Sequence, residues 1–563
     1  MKYQVLSPWA ESVAGSAPKI GLQPRPEKLN GKRIGLFGFF KKHSVVVLDE
    51  IESSLKERYP DLEFSIFQYP KELMVISDDP EYAESFREWI DKLDAVIGAF
   101  GDGGSSSMFL SKNVAVAEKM GKPAVAVTEP SCVISCKAGA STQNVPGLRL
   151  ALMHIDFDLS RRIPVEELGE VIQPNIAAAI DGIVEGLTRP LSEEEQYPAN
   201  IEITTSGCVF RGDLEEVNDY FYERGWSYGN IIVPPTQEAV NRMLEGTDLP
   251  PDYVVATIPP MHGKATVEKI AVNAVMAGCL PTHMPVIIAG VKAMVNPQVR
   301  IEGYTCSAAS WFPLWVINGP IRKDLNINCG PALMSPYFKP NVAIANALGL
   351  ITMNIGGVRC GLEDRSQIGH EGRIGVCFGE DEEASPWEPL HQYYGFQKED
   401  STITNMWPNA RQKIGRGDED VIEILRNICD KIECVVFDPG SAIIIGPCVA
   451  KKLADAGFSR TNVLDYIVEY ARRPQPQANP KYIIENNHIN PNGPILTMDP
   501  TRSCRKFWSK DHLMLVVAST GGIASYAGGG DHGGPISQKI ELPKNWKKLT
   551  EKYKAPIHNY PRY

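Results

Sequence analysis

The sequence predicts an α/β fold built from several doubly wound parallel sheets. Two stretches carry that expectation. The first is Asp94-Ala-Val-Ile-Gly-Ala-Phe-Gly-Asp-Gly-Gly-Ser-Ser-Ser-Met-Phe-Leu, running on to Thr128. It reads as an apolar strand (Ala95 to Ala99), a loop of small residues (Gly101 to Ser107), a helix to Met120 and a second apolar strand, Pro123 to Thr128. The second is Tyr253-Val-Val-Ala-Thr-Ile, then Pro259-Pro-Met-His-Gly-Lys, then a helix from Thr266 to Gly278 and the apolar run Pro285-Val-Ile-Ile-Ala-Gly, read as a strand. Alternating strands and helices of this kind build Rossmann- or flavodoxin-like parallel sheets.

The elements follow in order. Residues 1–30 are polar and rich in proline and read as an N-terminal arm. Arg33 to Phe40 is an apolar strand, His43 to Arg58 has helical spacing (Val47, Ile51, Leu55), and Glu63 to Phe67 is another strand. With the Asp94–Thr128 unit and the Leu150–Ile155 run, this defines an α/β domain over 31–190. The linker Thr188-Arg-Pro-Leu-Ser-Glu-Glu-Glu-Gln-Tyr-Pro ends it. A second α/β domain spans 200–345. A third region spans 346–563, with strands at Cys434-Val-Val-Phe and Leu513 to Ala518 and a glycine-rich loop from Gly521 to Gly534.

Composition narrows the function. The chain has 563 residues, enough for roughly three or four domains at about 150 residues each. A net charge of −11 argues against a nucleic-acid or anionic-membrane partner, which clustered Lys and Arg would serve. No run reaches ~18 uninterrupted apolar residues, so no membrane span is expected. The twelve cysteines contain no Cys-x-x-Cys, and the nearest pair is Cys132 and Cys136. Reduced thiols in a cytoplasm are the expected state. The Pro-rich arm and the polar tail Lys544–Tyr563 suit a homo-oligomer.

The chemistry is expected in the loops after strands. Gly103, Gly104, Ser105, Ser106 and Ser107 offer backbone N–H groups and hydroxyls at a helix start, where a carboxylate or phosphate binds. The competing reading is that Ser105 or Ser106 merely caps the helix. His262 and Lys264 precede the second helix and suit acid–base or electrostatic work on an anionic or carbonyl group. Cys306 is the outside candidate for a nucleophile, on the reading that it opens a helix that lowers its pKa, with buried filler the favoured reading of a free cysteine, whereas Cys279 ends a helix and should be inert. The run Asn354 to Arg373, with Asp364 and Arg365, joins Asn318 as a candidate binding segment. Asp364, Glu380 and Glu383 provide oxygen ligands for a divalent metal, although a solvated acidic face is the favoured reading. No other cofactor is implied.

The ordered motifs resemble the family named for a selenocysteine–Gly–Ser–Cys signature, UGSC, whose members are labelled thiol–disulfide oxidoreductases. The resemblance rests on Gly103-Gly-Ser-Ser with its helix and Gly121-Lys-Pro, and on Thr266-Val-Glu-Lys-Ile-Ala-Val-Asn-Ala-Val-Met-Ala-Gly-Cys. It continues through Asn318-Gly-Pro, Asn354-Ile-Gly-Gly and Glu380-Asp-Glu-Glu-Ala-Ser-Pro-Trp-Glu-Pro-Leu. By position, the family's redox pair falls on Gly103 and Ser106, neither of which forms a disulfide. Thiol redox at this loop therefore does not carry over. The expectation is a small-molecule enzyme with non-redox chemistry (lyase, hydratase, condensing or hydrolytic) on a carboxylate- or carbonyl-bearing substrate held between domains. Two alternatives stand beside it. One is a cysteine oxidoreductase using Cys208, Cys306 or Cys360; the other is a non-catalytic ligand-binding subunit.

Overall fold

A computed structural model describes residues 1–11, 18–40, 42–71, 74–155, 165–199, 207–434, 440–474, 501–528, 534–554 and 556–557. After a short strand β1 (Tyr3–Leu6) come β2 (Arg33–Phe39), β3 (Glu63–Tyr69), β4 (Ala95–Gly101), β5 (Ala124–Thr128) and β6 (Arg149–Leu152). The last five form one parallel sheet in the order β3-β2-β4-β5-β6. The chain thus starts inside the sheet, steps to one edge, and crosses back to the other side of β2. Its direction of winding reverses between β2 and β4.

Side-chain alternation along these strands feeds two cores. Ile34, Leu36, Ile97, Val125 and Val127 pack with Val47, Ile51 and Leu55 of helix Lys42–Arg58 and with helix Val165–Thr188. Phe37, Phe39, Val96 and Ala126 point the other way, against Phe86, Leu110 and Val114 of helices Ala83–Asp91 and Gly104–Lys119. Burying each large apolar side chain stabilises the fold by about 1.5–3 kcal/mol. Gly98 lets helix Gly104–Lys119 approach, because a Cβ there would lie 2.2 Å from Val114 Cγ2.

The second half is also α/β, but not doubly wound. It carries β7 (Cys208–Gly212), β8 (Val254–Ile258), β9 (Gly263–Thr266), β10 (Leu314–Asn318), β11 (Val376–Gly379) and β12 (Thr402–Met406). It continues with β13 (Ala410–Gly415), β14 (Ser441–Ile445), β15 (Arg472–Pro474), β16 (Ser503–Arg505), β17 (Leu513–Val517), β18 (Ile523–Ala527) and β19 (Ile536–Lys539). Two mixed sheets, β11-β10-β12-β19 and β13-β18-β14-β17, share a buried layer in which Leu314, Val316, Phe378 and Met406 meet Ile444, Met514 and Val516. Helices cover the outer faces. Met284–Met294 and Lys339–Asn354 lie on the first sheet, and Val421–Lys431, Pro447–Asp455 and Arg460–Tyr470 on the second.

Several expectations need correcting here. Further doubly wound units are not observed, because most strand pairs in these two sheets are antiparallel. The run Pro285–Gly290 lies in a buried helix, Met284–Met294. A short apolar run wholly inside the core has no period that separates strand from helix, and only the packing decides. The second strand–loop–helix–strand unit is instead an antiparallel hairpin, β8–β9, ahead of helix Val267–Met276, with Thr266 Oγ1 accepting from Lys269 N. Residues 435–437 of the expected Cys434–Phe437 strand lie outside the described residues, and within the expected Gly521–Gly534 loop Ile523–Ala527 instead forms β18, paired on both sides, while 529–533 are not described. Strands on both sides of residue 345 share the β11-β10-β12-β19 sheet.

The described N-terminal segment and the linker are tied in. β1 pairs with β7, while Ser7 O accepts from Lys269 Nζ at 2.7 Å. Further on, Arg25 ion-pairs with buried Glu118 at 2.8 Å on the N-terminal domain. In the linker, Ser192 caps a short helix, Glu193–Gln196, and Glu195 takes both Nε and Nη2 of Arg149. The Arg149 guanidinium holds the Glu195 carboxyl down at about 2, against burial that works the other way. The sign follows. A depressed carboxyl contributes stability above its unfolded value near 4.5, lost as pH falls from there towards 2. The loss is on the order of 2–3 kcal/mol. Urea unfolding at pH 7 and pH 3 checks it, because Glu195→Gln should lose less stability over that interval than the wild type.

Candidate functional site

The carboxyl edge of the parallel sheet gathers polar side chains at the point where winding reverses. After β4, Asp102 leads into Gly103, which caps helix Gly104–Lys119 in an extended conformation without a side-chain bond. The serine caps anticipated from sequence are therefore corrected: Ser105 and Ser106 lie within the first turn. Asp102 occupies the space beside the turn instead. Its Oδ1 accepts from Ser106 Oγ at 3.2 Å, and its Oδ2 lies 3.0 Å from His43 Nδ1. His43 comes from the first turn of the helix after β2, so the pair spans the β2/β4 reversal. Both side chains are almost wholly buried, 2% and 3% exposed. An ionised Asp102 can only accept, so it keeps the proton on Nδ1 and makes Nε2 the basic nitrogen.

A second group stands beside this one after β5. Glu129 Oε1 lies 3.0 Å from His154 Nδ1, and Glu129 Oε2 accepts from the backbone and hydroxyl of Ser131. Burial would raise the Glu129 carboxyl, but the bonds from Ser131 and His154 outweigh it and hold it below its ordinary value. Two thiols line the back of the loop. Burial pushes Cys132 up, partly countered by the Ser107 and Ser131 hydroxyls, and pushes Cys136 up to about 12. Both are thiols rather than thiolates at neutral pH, which makes them poor nucleophiles.

The second half of the chain covers the loop. A Cβ on Gly104 would lie 3.0 Å from Cys306 O, 3.1 Å from Ala308 N and 3.5 Å from Arg365 Cβ. Any side chain here is tightly confined. Gly104→Val should cost about 1–3 kcal/mol through overpacking, read as a lowered urea midpoint. Two turns along the same helix, Lys112 forms a buried ion pair with Glu302. His262, at φ 54° in the β8–β9 turn, senses that pair and Asp78, and burial lowers its pKa.

The other anticipated residues lie apart from the loop or point elsewhere. Lys264 pairs with Glu11 at 3.3 Å. Cys306 requires a correction, since it follows helix Ile301–Thr305 rather than opening one. Burial raises its thiol further, and a nearby Glu302 adds to the rise. Cys208 and Cys360 are exposed. Arg365 donates to Gly361 O at 2.8 Å, and Asp364 pairs with Arg373 at 2.8 Å. Asn318 belongs to a buried cluster, donating to Glu380 at 2.6 Å and Glu382 at 2.9 Å. Glu380 also takes Arg460 at 2.8 Å, and Glu383 takes Arg322 at 3.0 Å. The cations Arg322, Arg373 and Arg460 thus meet the three acids proposed as metal ligands. Among the described residues, no group of three or more His, Cys, Asp or Glu is arranged to hold a metal ion.

Reading the residues singly missed His43, Asp102, Glu129 and His154. Asp102 lay inside the glycine–serine loop, and His43 opened the helix after the preceding strand. The signal was topological: in a doubly wound sheet, residues after the two strands flanking the reversal meet.

A doubly wound domain with a polar loop at its switch point defines the class. Residues 4–182 match the UGSC family, and the chain is similar to that family over this stretch. No curated protein matches. Among solved structures, an iron-containing alcohol dehydrogenase from Thermotoga maritima aligns at 14% identity with a TM-score of 0.16, covering 29% of this chain and 63% of its own. The chain therefore spans less than two thirds of that enzyme's length. A second iron-containing alcohol dehydrogenase aligns at 14% identity with a TM-score of 0.15, covering 46% of this chain and 79% of its own. Among the described residues, no helix is long and apolar enough to cross a membrane.

Proposed function

We propose that the protein is an enzyme carrying out non-redox chemistry on a small carboxylate- or carbonyl-bearing molecule at the β2/β4 crevice. The observation that carries this reading is the buried His43–Asp102 pair at the start of helix Gly104–Lys119. In this reading Asp102 orients His43, whose imidazole acts as general acid or base. The first-turn N–H groups hold the substrate's anionic oxygen, and the Ser106 hydroxyl, which donates to Asp102 in the free protein, turns to that oxygen on binding. Elimination, hydration, condensation and hydrolysis all need such a proton carrier beside an anion site. A ligand here has to displace the cover that residues 306–308 and 365 lay over Gly104. His262 would contribute electrostatics from the Lys112–Glu302 side. Lys264 is left out, since its ammonium pairs with Glu11.

Exposed Cys208 and Cys360 keep a cysteine-based alternative worth one experiment. Thiol titration at neutral pH should find no fast-reacting cysteine, and a fast one at either position would favour redox chemistry. The reading also expects a cytoplasmic homo-oligomer. Native mass spectrometry of the purified protein, repeated after denaturation, tests the main proposal. A co-purifying organic acid or carbonyl compound supports it, and its turnover by the protein would separate an enzyme from a binding subunit. A co-purifying compound that is neither turned over nor lost on Ser106→Ala replacement would sink it.

A further inference from the structure

A cavity of about 420 Å³ opens at one end of the layer between the two mixed sheets, far along the chain from the Gly103–Ser107 loop. Its volume is within the ~300–1,000 Å³ that small-molecule sites occupy. The floor is apolar, formed by Leu333, Ile444, Ala524 and Tyr526. One wall is the turn from Ala518 to Gly522, which follows the carboxyl end of β17. There the backbones nearly touch: Gly446 N donates to Gly522 O at 3.0 Å, and a Cβ on Gly446 would lie 2.4 Å from Gly521 Cα. That turn is held from below, since Ser519 N donates to Cys329 O at 2.8 Å.

The rim is cationic. Arg411 and Lys413 alternate along edge strand β13, so they share a face, and they pair across the sheet with Tyr526 and Ala524. Both line the cavity and both are exposed. Neither forms an ion pair with any described residue. Cations on an edge strand discourage strand pairing with another chain. That role needs no cavity beneath them and does not explain an apolar floor.

We infer that this cavity binds a small organic anion. Arg411 and Lys413 take its carboxylate or phosphate, and Leu333, Ile444 and Tyr526 take its apolar body. The site is separate from the β2/β4 crevice and stands or falls independently of it.

The test uses the full chain and two fluorescent probes of similar size. They are 8-anilinonaphthalene-1-sulfonate, which is anionic, and N-phenyl-1-naphthylamine, which is neutral. The wild type should bind the anionic probe saturably, and the R411Q/K413Q variant at least about tenfold more weakly, since two charge-assisted contacts are lost. The neutral probe should bind both proteins alike. Because both cations are exposed, the variant should fold, and an unchanged circular dichroism spectrum checks that. Ala524→Phe, which fills the floor without touching charge, should weaken both probes. Competition on the wild type separates the ligand chemistries. Displacement by inorganic phosphate at lower concentration than by benzoate assigns a phosphoryl group, and the reverse assigns a carboxylate. No saturable binding of the anionic probe to the wild type, or equal affinity in R411Q/K413Q, overturns the proposal.

Discussion

Asp102→Asn is expected to reduce turnover of the co-purifying compound by about 10²–10⁴-fold, the span that general acid–base catalysis covers. Asparagine preserves the shape and leaves an oxygen that can still accept from Ser106. Its amide nitrogen, however, donates where the carboxylate accepted. His43 Nδ1 then has to accept, so the proton moves to Nε2 and the basic nitrogen faces the wrong way. Stability should change little, because the replacement is isosteric. His43→Gln should reach a similar floor, and the double replacement should be no worse than either single one, since the pair acts as a unit. Steady-state kinetics alongside thermal unfolding checks this. Turnover near wild type in both single variants would remove the pair from the chemistry. A loss confined to KM would recast it as a binding device.

Breaking the Lys112–Glu302 pair is the second large effect expected. Lys112 is fully buried on helix Gly104–Lys119, and Glu302 sits on helix Ile301–Thr305 in the other half of the chain. Removing one partner leaves a buried charge uncompensated, which costs about 3–5 kcal/mol. Lys112→Met and Glu302→Leu should each lower the urea midpoint strongly. The double variant should recover most of the loss, because two apolar chains can replace a buried pair of similar volume. Urea unfolding of all four proteins closes the cycle. If the single losses simply add in the double variant, the pair does not couple the halves. His262 should stay below its ordinary range in the double variant, because burial, the main cause of its lowered pKa, remains and the two lost charges act on it with opposite signs.

The parallel sheet was legible because its signals are local. Seven-residue runs such as Arg33–Phe39 and Ala95–Gly101 are apolar on both faces, as strands covered by helices on each side must be. The glycine–serine loop announced itself by composition, and Thr266 by its position before a helix. Pro285–Gly290 was misread for the complementary reason. A run buried on every side offers no contrast to reveal its period. Cys306 was misread because the helix that it follows is only five residues long, too short for periodicity to define its direction. The acidic cluster read as a solvated face, with a metal site as the lesser candidate, because the sequence did not show that Glu380 is buried against Arg460, 80 residues away in the chain.

By itself, then, the sequence determined an α/β chain with a five-strand parallel core and a ligand-suited loop after its central strand. Those features arise from hydrophobic spacing and turn residues within some thirty positions of one another. Only the tertiary structure decided which side chains meet at that loop. His43 and Asp102 are 59 residues apart, and Lys112 and Glu302 are 190 apart. Their pairing depends on where the chain crosses back over β2 and on how the second half docks. Both are decided by long-range packing, which leaves no periodic mark in the sequence.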